Sequence, residues 1–271
     1  MKPFFYTHAL VCEDIPHSLN NGLSLDDHEP IDLDLARRQH QSYLDILEKS
    51  GLKLIKIQSD ENYSDGVFVE DTSIALGNKI FITNPGAVSR RGETEQVRVK
   101  YSQIASDLGL VLGGIKDLEN SFLEGGDCMF TGREFIIGLT TRTNQSGVDE
   151  FKEFFSEYPV ITCQVTEGLH LKSFMSMLNE DTILISSSKE AQLIHEQIVQ
   201  KANFKYNFVQ VPEDSAANIL VFNNMMLTSE EYESVYETMN EFNSISRLKT
   251  RNSEFKKIDG CLTCRCVFFT I

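Results

Sequence analysis

The segment CMFTGREFIIGLTTRTNQSGVDEFKEFFSEYPVITCQV, residues 128–165, decides the fold. Cys128–Phe130 and Phe135–Leu139 are short apolar runs joined by the turn Thr131-Gly132-Arg133, which predicts a β-hairpin. A helix is predicted over Val148–Ser156, and PVITCQV (159–165) reads as a further strand. The unit is strand, strand, helix, strand. The same order appears upstream. Apolar bursts at Val67–Val69 with Ile74–Leu76, and at Ile80–Ile82 after a Gly-Asn turn, precede a helix around Glu93–Leu108 and the strand LVLGGI (110–115). Downstream, a third unit runs Leu169–Leu178, Thr182–Ser186, a helix near Lys189–Ala202 and YNFVQV (206–211). A fourth runs Asn218–Phe222, Asn224–Leu227, a helix Ser229–Phe242 and Ser244–Leu248. A fifth opens at CLTCRCVFFTI (261–271) and can only be completed by the N-terminal segment. There Leu33, Ala36, Tyr43, Leu44 and Leu47 mark a helix with Asp32 and Asp34 at its start and Gly51 past its end, followed by the strand LKLIKI (52–57).

Periods near 50 residues signal arrays or propellers. Asp71, Glu124, His170, Asn218 and Cys264 sit at comparable points of the five units, with spacings of 53, 46, 48 and 46. If the units close around an axis, these five residues converge at its centre. The expected architecture is therefore α/β, a five-fold closed propeller of strand-strand-helix-strand repeats. The competing doubly wound sheet calls for a Gly-rich phosphate loop after its first strand, and the sequence has neither G-x-G-x-x-G nor G-x-x-x-x-G-K-[ST]. No Pro-rich, Gly/Ser-rich or low-complexity linker divides the chain, so one domain over residues 1–271 is expected.

The composition is that of a soluble globular protein, 41% hydrophobic and 24% charged over 271 residues. No apolar run approaches the roughly 18–20 residues of a membrane-spanning helix. The first residues, MKPFFYTHALVCED, lack the long apolar region and small-residue cleavage site of a signal peptide, so a cytoplasmic location is expected. The triplets Asn62-Tyr63-Ser64 and Asn144-Gln145-Ser146 then read as chance matches to a glycosylation signal. A net charge of −15, from 40 acidic and 25 basic residues, repels nucleic acid and anionic lipid and favours cationic solutes.

Six cysteines are present, Cys12, Cys128, Cys163, Cys261, Cys264 and Cys266. In a chain of this size without a secretory signal they do not suggest a disulfide framework. The cluster Cys261-x-x-Cys264-x-Cys266 admits three readings: a zinc site, core cysteines in an apolar strand, or a nucleophile. Strand alternation places Cys264 and Cys266 on one face and Cys261 on the other, which counts against zinc. A nucleophile needs a base and a group to orient it. Among the six histidines, His40 and His195 read as lying on polar helix faces and His28 in an acidic loop, whereas His170 lies between apolar neighbours at a strand start. Two further stretches are unusual for a core, GVFVEDTSIAL (66–76) and FLEGGDCMF (122–130). Burying Glu70, Asp71, Glu124 and Asp127 costs several kcal/mol each unless a cation or donors answer them. A guanidinium matches paired carboxylates best, because its planar donors fit them two at a time.

These motifs carry a resemblance. DGVFVEDTSIAL (65–76), TNPGAVSRRGE (83–93), LEGGDCMFTGREFIIGLTTRTNQSG (123–147), EGLHLKSFMSML (167–178) and DGCLTC (259–264) occur in the order and spacing of dimethylarginine dimethylaminohydrolase, of the guanidine-modifying superfamily with the pentein fold. The resemblance runs over nearly the whole chain. It implies that Cys264 is the nucleophile, His170 the general acid and base, and Glu124 its orienting carboxylate. Asp65, Glu70 and Asp71 are similar to the family's substrate-binding acids, with Asp71 the candidate guanidinium clamp. Arg90 and Arg142 resemble the pair that fixes the substrate α-carboxylate, and Leu23 in NNGLSL (20–25) matches a lid position whose backbone touches substrate. One departure is Cys261, which stands where the family's usual GLLTC has an apolar residue.

The implied reaction is hydrolysis of asymmetric dimethylarginine or monomethylarginine to citrulline and an alkylamine through a covalent S-thiouronium. The resemblance implies no metal or organic cofactor, and in the related family zinc can occupy the cysteine site, here Cys264, as an inhibitor. The implied partner is the small-molecule substrate, with the chain a monomer or homodimer. Two alternatives stand beside this. Arginine and agmatine deiminases tend to carry His-x-Asp where this chain has His170-Leu171-Lys172, and agmatine would leave Arg90 and Arg142 without a carboxylate. A non-catalytic methylarginine binder would not need Cys264, His170 and Glu124 together.

Overall fold

A computed structural model describes residues 2–238 and 245–271. Among these residues five three-stranded sheets follow one another. The N-terminal elements are β1 (His8–Cys12), α1 (Leu33–Lys49) and β2 (Lys53–Ile57). The first complete unit is β3 (Ser73–Leu76), β4 (Lys79–Ile82), α2 (Glu93–Leu108) and β5 (Val111–Gly114). The second is β6 (Cys128–Phe130), β7 (Phe135–Leu139), α3 (Gln145–Phe154) and β8 (Val160–Gln164), and the third is β9 (Met175–Asn179), β10 (Thr182–Ser186), α4 (Lys189–Lys201) and β11 (Asn207–Val211). The fourth is β12 (Leu220–Phe222), β13 (Met225–Ser229), α5 (Glu233–Thr238) and β14 (Ser246–Thr250); α6 (Ser253–Lys256) and β15 (Cys266–Phe269) follow. In each unit the first two strands pair antiparallel, and the helix returns the chain to a third strand parallel to the second. The fifth sheet joins the two ends of the chain, with β1 antiparallel to β15 and parallel to β2.

The helices begin where the backbone donors find acceptors. Asp32 caps α1 by accepting from the Leu35 amide at 2.9 Å, Asn144 caps α3 through Gly147 at 2.9 Å, and Ser188 caps α4 through Ala191. Each helix then fills the wedge between its own sheet and the preceding one. Val148, Phe151 and Phe155 beside α3 pack with Phe135 and Ile137 on one side and Ile74 and Phe81 on the other. The middle strands are therefore buried on both faces. Ala9 and Val11 of β1 join the α1 wedge, whereas Leu10 and Cys12 join the α2 wedge. That accounts for runs such as HALVC and TILIS, buried throughout.

All five inner strands, β3, β6, β9, β12 and β15, face one axial cavity of about 840 Å³ including its open mouth; Ile74, Met129, Met177, Val221 and Val267 line it. The units thus close as a five-bladed α/β propeller. Among the described residues no helix is long and apolar enough to cross a membrane.

The structure corrects several boundaries. The helix expected at Val148 begins at Gln145, because the Asn144 cap sets its start. Ser229, expected to open a helix, ends β13, since the parallel partner β14 extends to Thr250; the helix starts at Glu233. Residues 239–242 of the expected helix, and Ser244 of the expected last strand, lie outside the described residues. Between the apolar bursts of the first unit, Glu70 and Asp71 sit in a 3-10 turn over Val69–Thr72. His40, expected on a polar face, is buried, with Nε2 2.9 Å from the Cys12 carbonyl.

Candidate active site

Every blade opens with a short 3-10 turn immediately before its inner strand. These turns are Val69–Thr72, Gly125–Asp127, Leu171–Ser173, Ser215–Ala217 and Thr263–Arg265. Asp71, Glu124, His170, Asn218 and Cys264 lie in or directly beside them, as the repeat spacing anticipates. A turn at the head of a blade points side chains towards the axis, free of the ladder that occupies the strands.

His170 Nε2 lies 2.6 Å from Glu124 Oε2 and 3.8 Å from Asp71 Oδ1. Glu124 is completely buried, and Asp71 and His170 nearly so. Gly126 permits this packing, because a Cβ there would stand 2.6 Å from His170 Nδ1 and 2.9 Å from Asp71 Oδ1. Its amide donates to Asp71 Oδ1 at 2.9 Å. Asp127 braces the next turn, accepting from the Leu171 amide at 2.9 Å and the Thr140 hydroxyl at 2.8 Å. Burial alone would strip the proton from His170. The carboxylates Asp71, Asp127 and Glu124 outweigh it and push the imidazole up to about 10, so the ring is protonated at neutral pH. Asp71 is correspondingly pulled down to about 2: burial raises it, but His170 and Arg90 prevail.

One narrow cleft of about 330 Å³ is lined by Leu23, Asp65, Asp71, Arg90, Arg142, His170 and Cys264. Phe68, Leu169, Ile258, Asp259 and Gly260 complete its wall. Seven of the nine sequence-derived candidates therefore meet there, and Glu124 stands directly behind His170. The Cys264 thiol is pushed well above its ordinary range, first by the adjoining Cys261 thiol, then by burial and by Glu70 and Asp71. In the free protein this sulfur is a thiol. At the cleft edge the Leu23 amide donates to both Asp65 oxygens, at 3.0 and 3.2 Å, and Leu25 and Ser24 donate to Asp259 Oδ2 at 2.7 and 3.1 Å.

Two candidates differ from expectation. Glu70 does not line the cleft. It faces the axial cavity, where Lys172 Nζ donates to Oε1 at 2.5 Å and the Thr263 hydroxyl to Oε2 at 2.9 Å. Successive residues of a turn diverge, so Asp71 faces the cleft and Glu70 the channel. Arg90 lines the cleft with its donors already engaged: Nη1 with Asp71 Oδ2 at 2.5 Å, Nε with Glu93 at 3.1 Å, and Nη2 with the Phe68 carbonyl at 2.9 Å. Arg142 is freer, its Nη1 only 3.6 Å from Glu124 Oε1.

The sequence marks Lys172 only as a difference from the deiminases and Asn218 only as a member of the repeat, and it marks neither Thr263 nor Asp259. Asn218 ties three blades together, donating to the Lys172 carbonyl at 2.9 Å and to Thr263 Oγ1 at 3.0 Å while accepting from the Thr263 amide. Its place in the repeat spacing was the available signal. The cysteine cluster also differs. Cys261 and Cys264 are neighbours, with the Cys261 amide 3.4 Å from Cys264 Sγ, whereas Cys266 turns into the wedge packed by Tyr43. Residues 261–265 form a turn, so strand alternation does not apply until Cys266. Among the described residues, Asp71, Glu124 and His170 form the one group whose ligand atoms, within 4.8 Å of one another, could hold a metal ion; the three already satisfy each other.

A family model described as arginine deiminase matches residues 61–242. The chain is 32% identical over 217 residues to "Putative hydrolase DDAH2" of Bos taurus, covering 79% of this chain and 74% of that protein. It is 28% identical over 263 residues to the N(G),N(G)-dimethylarginine dimethylaminohydrolase of Pseudomonas aeruginosa, with 93% and 95% covered. The fold superimposes on a cysteine-to-serine mutant of that Pseudomonas aeruginosa protein complexed with citrulline, at a TM-score of 0.84 and 26% identity over 98% of this chain and all of the other. The N-terminal domain of ArgZ, a cyanobacterial arginine dihydrolase, shares the fold at a TM-score of 0.76 with 15% identity, over 96% of each chain.

Proposed function

The chain belongs to the arginine deiminase family, and on that premise we propose that it is a dimethylargininase, one catalytic domain that hydrolyses N-methylated L-arginines to L-citrulline and an alkylamine. The observation that carries this reading is the convergence of Cys264, His170, Asp71 and Arg142 on one cleft, from turns that open different blades or loops beside them. The methylated guanidinium lies against Asp71, and the α-carboxylate reaches Arg142. Asp65 and the backbone of Leu23 close over the amino-acid end. Arg90 we assign to holding Asp71, since its own donors are engaged. Glu70 we place outside substrate contact.

The electrostatics support a substrate-assisted reaction. Cys264 is a thiol in the free protein, so a cation must arrive before a thiolate is favoured. The substrate guanidinium supplies that charge, and the thiol proton leaves to solvent as the substrate binds, since His170 already carries its own. The Cys264 thiolate attacks the guanidinium carbon and gives a tetrahedral adduct. Protonated His170 hands its proton to the departing dimethylamine, leaving an S-thiouronium on Cys264. Binding a cation against Asp71 also relieves the field that holds the His170 proton so tightly, which brings its acidity towards the working range. The neutral ring then takes a proton from water as the water attacks. Collapse expels the Cys264 thiolate and releases citrulline.

Position 172 separates this reading from a deiminase. The side chain there is a lysine, directed at Glu70 and away from the cleft, where the deiminases tend to place a second acid. The test is product analysis with asymmetric dimethylarginine, arginine and agmatine offered separately. Dimethylamine and citrulline from the first alone support the proposal. Ammonia from arginine or agmatine at comparable rates overturns it, and tight methylarginine binding without any product favours the non-catalytic alternative.

A further inference from the structure

Two sulfurs share the nucleophile turn. Of the six free cysteines, Cys12, Cys128, Cys163 and Cys266 are buried in the wedges, while Cys261 and Cys264 are partly exposed. The turn closes from residue 261 to residue 264, with the Cys261 amide donating to Cys264 Sγ at 3.4 Å. This closure brings a C-x-x-C pair together at the head of the blade. The Cys261 sulfur has only a weak second partner, the Asp259 carbonyl at 3.9 Å. Cys264 opens to the substrate cleft. Cys261 opens on the other side of the turn, into a smaller polar cleft with Tyr232, Asn252 and Lys256. The nucleophile is thus backed by a thiol with its own route to solvent.

We propose that Cys261 is a redox-modification site, a peroxide-reactive thiol that forms a reversible disulfide with Cys264. The chemistry balances in two steps. Peroxide oxidises the Cys261 thiolate to a sulfenic acid, its O–O bond breaking and one oxygen leaving as water. The Cys264 sulfur then attacks the sulfenic sulfur, forming S–S and breaking S–O, and the proton it gives up joins the departing hydroxyl, which leaves as water. Peroxide gains the two electrons that the thiols lose. The order follows from access: Cys261 is reached without crossing the substrate cleft, while the adjoining Cys261 thiol, then burial and the nearby Glu70 and Asp71, keep Cys264 protonated in the free protein. A dithiol reductant reverses the bond. The consequence is twofold, since the disulfide halts turnover and also shields Cys264 from sulfinic and sulfonic acid. An apolar residue at 261 would give no such protection.

The inference rests on Cys264 being the nucleophile only for its effect on turnover; formation of the bond is tested without substrate. Trypsin releases Ile258–Arg265, which carries both cysteines. After hydrogen peroxide, quenching with catalase and alkylation with iodoacetamide, this peptide should be two hydrogens lighter than the dithiol and carry no alkyl group. Dithiothreitol should restore both alkylation sites. Cys264→Ser should leave a sulfenic acid at Cys261 that dimedone labels. In activity assays normalised to each variant's own starting rate, wild type should regain nearly all turnover with dithiothreitol, whereas Cys261→Leu should regain less than about a tenth because Cys264 over-oxidises. The proposal is overturned if Ile258–Arg265 from peroxide-treated wild type carries an alkyl group on Cys261 and a sulfinic or sulfonic acid on Cys264. It is equally overturned if Cys261→Leu recovers as wild type does. A disulfide found in a protein with no turnover would sustain this inference and refute the proposed function.

Discussion

Replacing Glu124 by glutamine removes a charge from behind His170 while keeping the shape of the site. The imidazole stands at about 10 because three buried carboxylates, Asp71, Asp127 and Glu124, together overcome burial. Of these, Glu124 is the one in direct contact, at 2.6 Å. A charge-assisted bond is worth about 1.5–3 kcal/mol and a neutral one about 0.5–1.5, so the substitution forfeits roughly 1–2 kcal/mol of preference for the imidazolium. At about 1.4 kcal/mol per pKa unit, the His170 titration should fall by about one unit, with Asp71 and Asp127 still holding it above an ordinary histidine. The assay is a pH titration of the histidine ring carbons by NMR, with the His170 signal assigned from its absence in His170→Asn. The alkaline limb of kcat/KM should move down with it, and kcat should fall about 10–100-fold as the ring loses its orientation. Stability carries the same sign. A raised folded-state pKa contributes fully below the unfolded value near 6.5 and is lost as pH climbs towards 10, so Glu124→Gln should end that loss at a lower pH. A His170 titration that stays in place, or moves upward, would refute the reasoning.

Three further substitutions probe the surrounding geometry. Gly126→Ala puts a methyl group 2.6 Å from His170 Nδ1, which must displace the ring; kcat should drop about 100-fold, and a normal kcat would show that the ring position is not critical. Arg142→Ala should raise KM for methylarginine about 10–100-fold with thermal stability nearly unchanged, and an unaltered KM removes Arg142 from the carboxylate site. Lys172→Met strands Glu70 beside the axial cavity, so unfolding free energy should fall by about 3–5 kcal/mol in denaturant titrations. Adding Glu70→Gln should recover most of that loss; if the double variant is no better than the single one, the ion pair is not what holds the channel end together.

The ring was readable because it rests on a count. Five chemically distinct residues at nearly constant spacing demand five equivalent places, and the structure puts each at the head of a blade. What could not be read is which way adjacent side chains point. Glu70 and Asp71 are neighbours in an apolar context, yet a 3-10 turn directs one to the channel and the other to the cleft. Strand and turn look alike there because both are buried and both use Val, Leu and Thr. Arg90 illustrates another limit. The motif marks it as functional, but its engagement by Asp71, Glu93 and the Phe68 carbonyl depends on three separate segments. His40 sits among Arg37, Arg38, Gln39 and Gln41, which suggest a polar face, but the neighbouring sheet and Phe255 cover it. Tertiary cover of this kind leaves no local trace.

The most direct test of the account is a rapid-quench reaction with asymmetric dimethylarginine, followed by mass spectrometry of the protein and its Ile258–Arg265 peptide. A transient adduct of the substrate less dimethylamine should appear on Cys264, formed at least as fast as citrulline and absent from Cys264→Ser. Citrulline released with no adduct at Cys264, or an adduct on another residue, would contradict it.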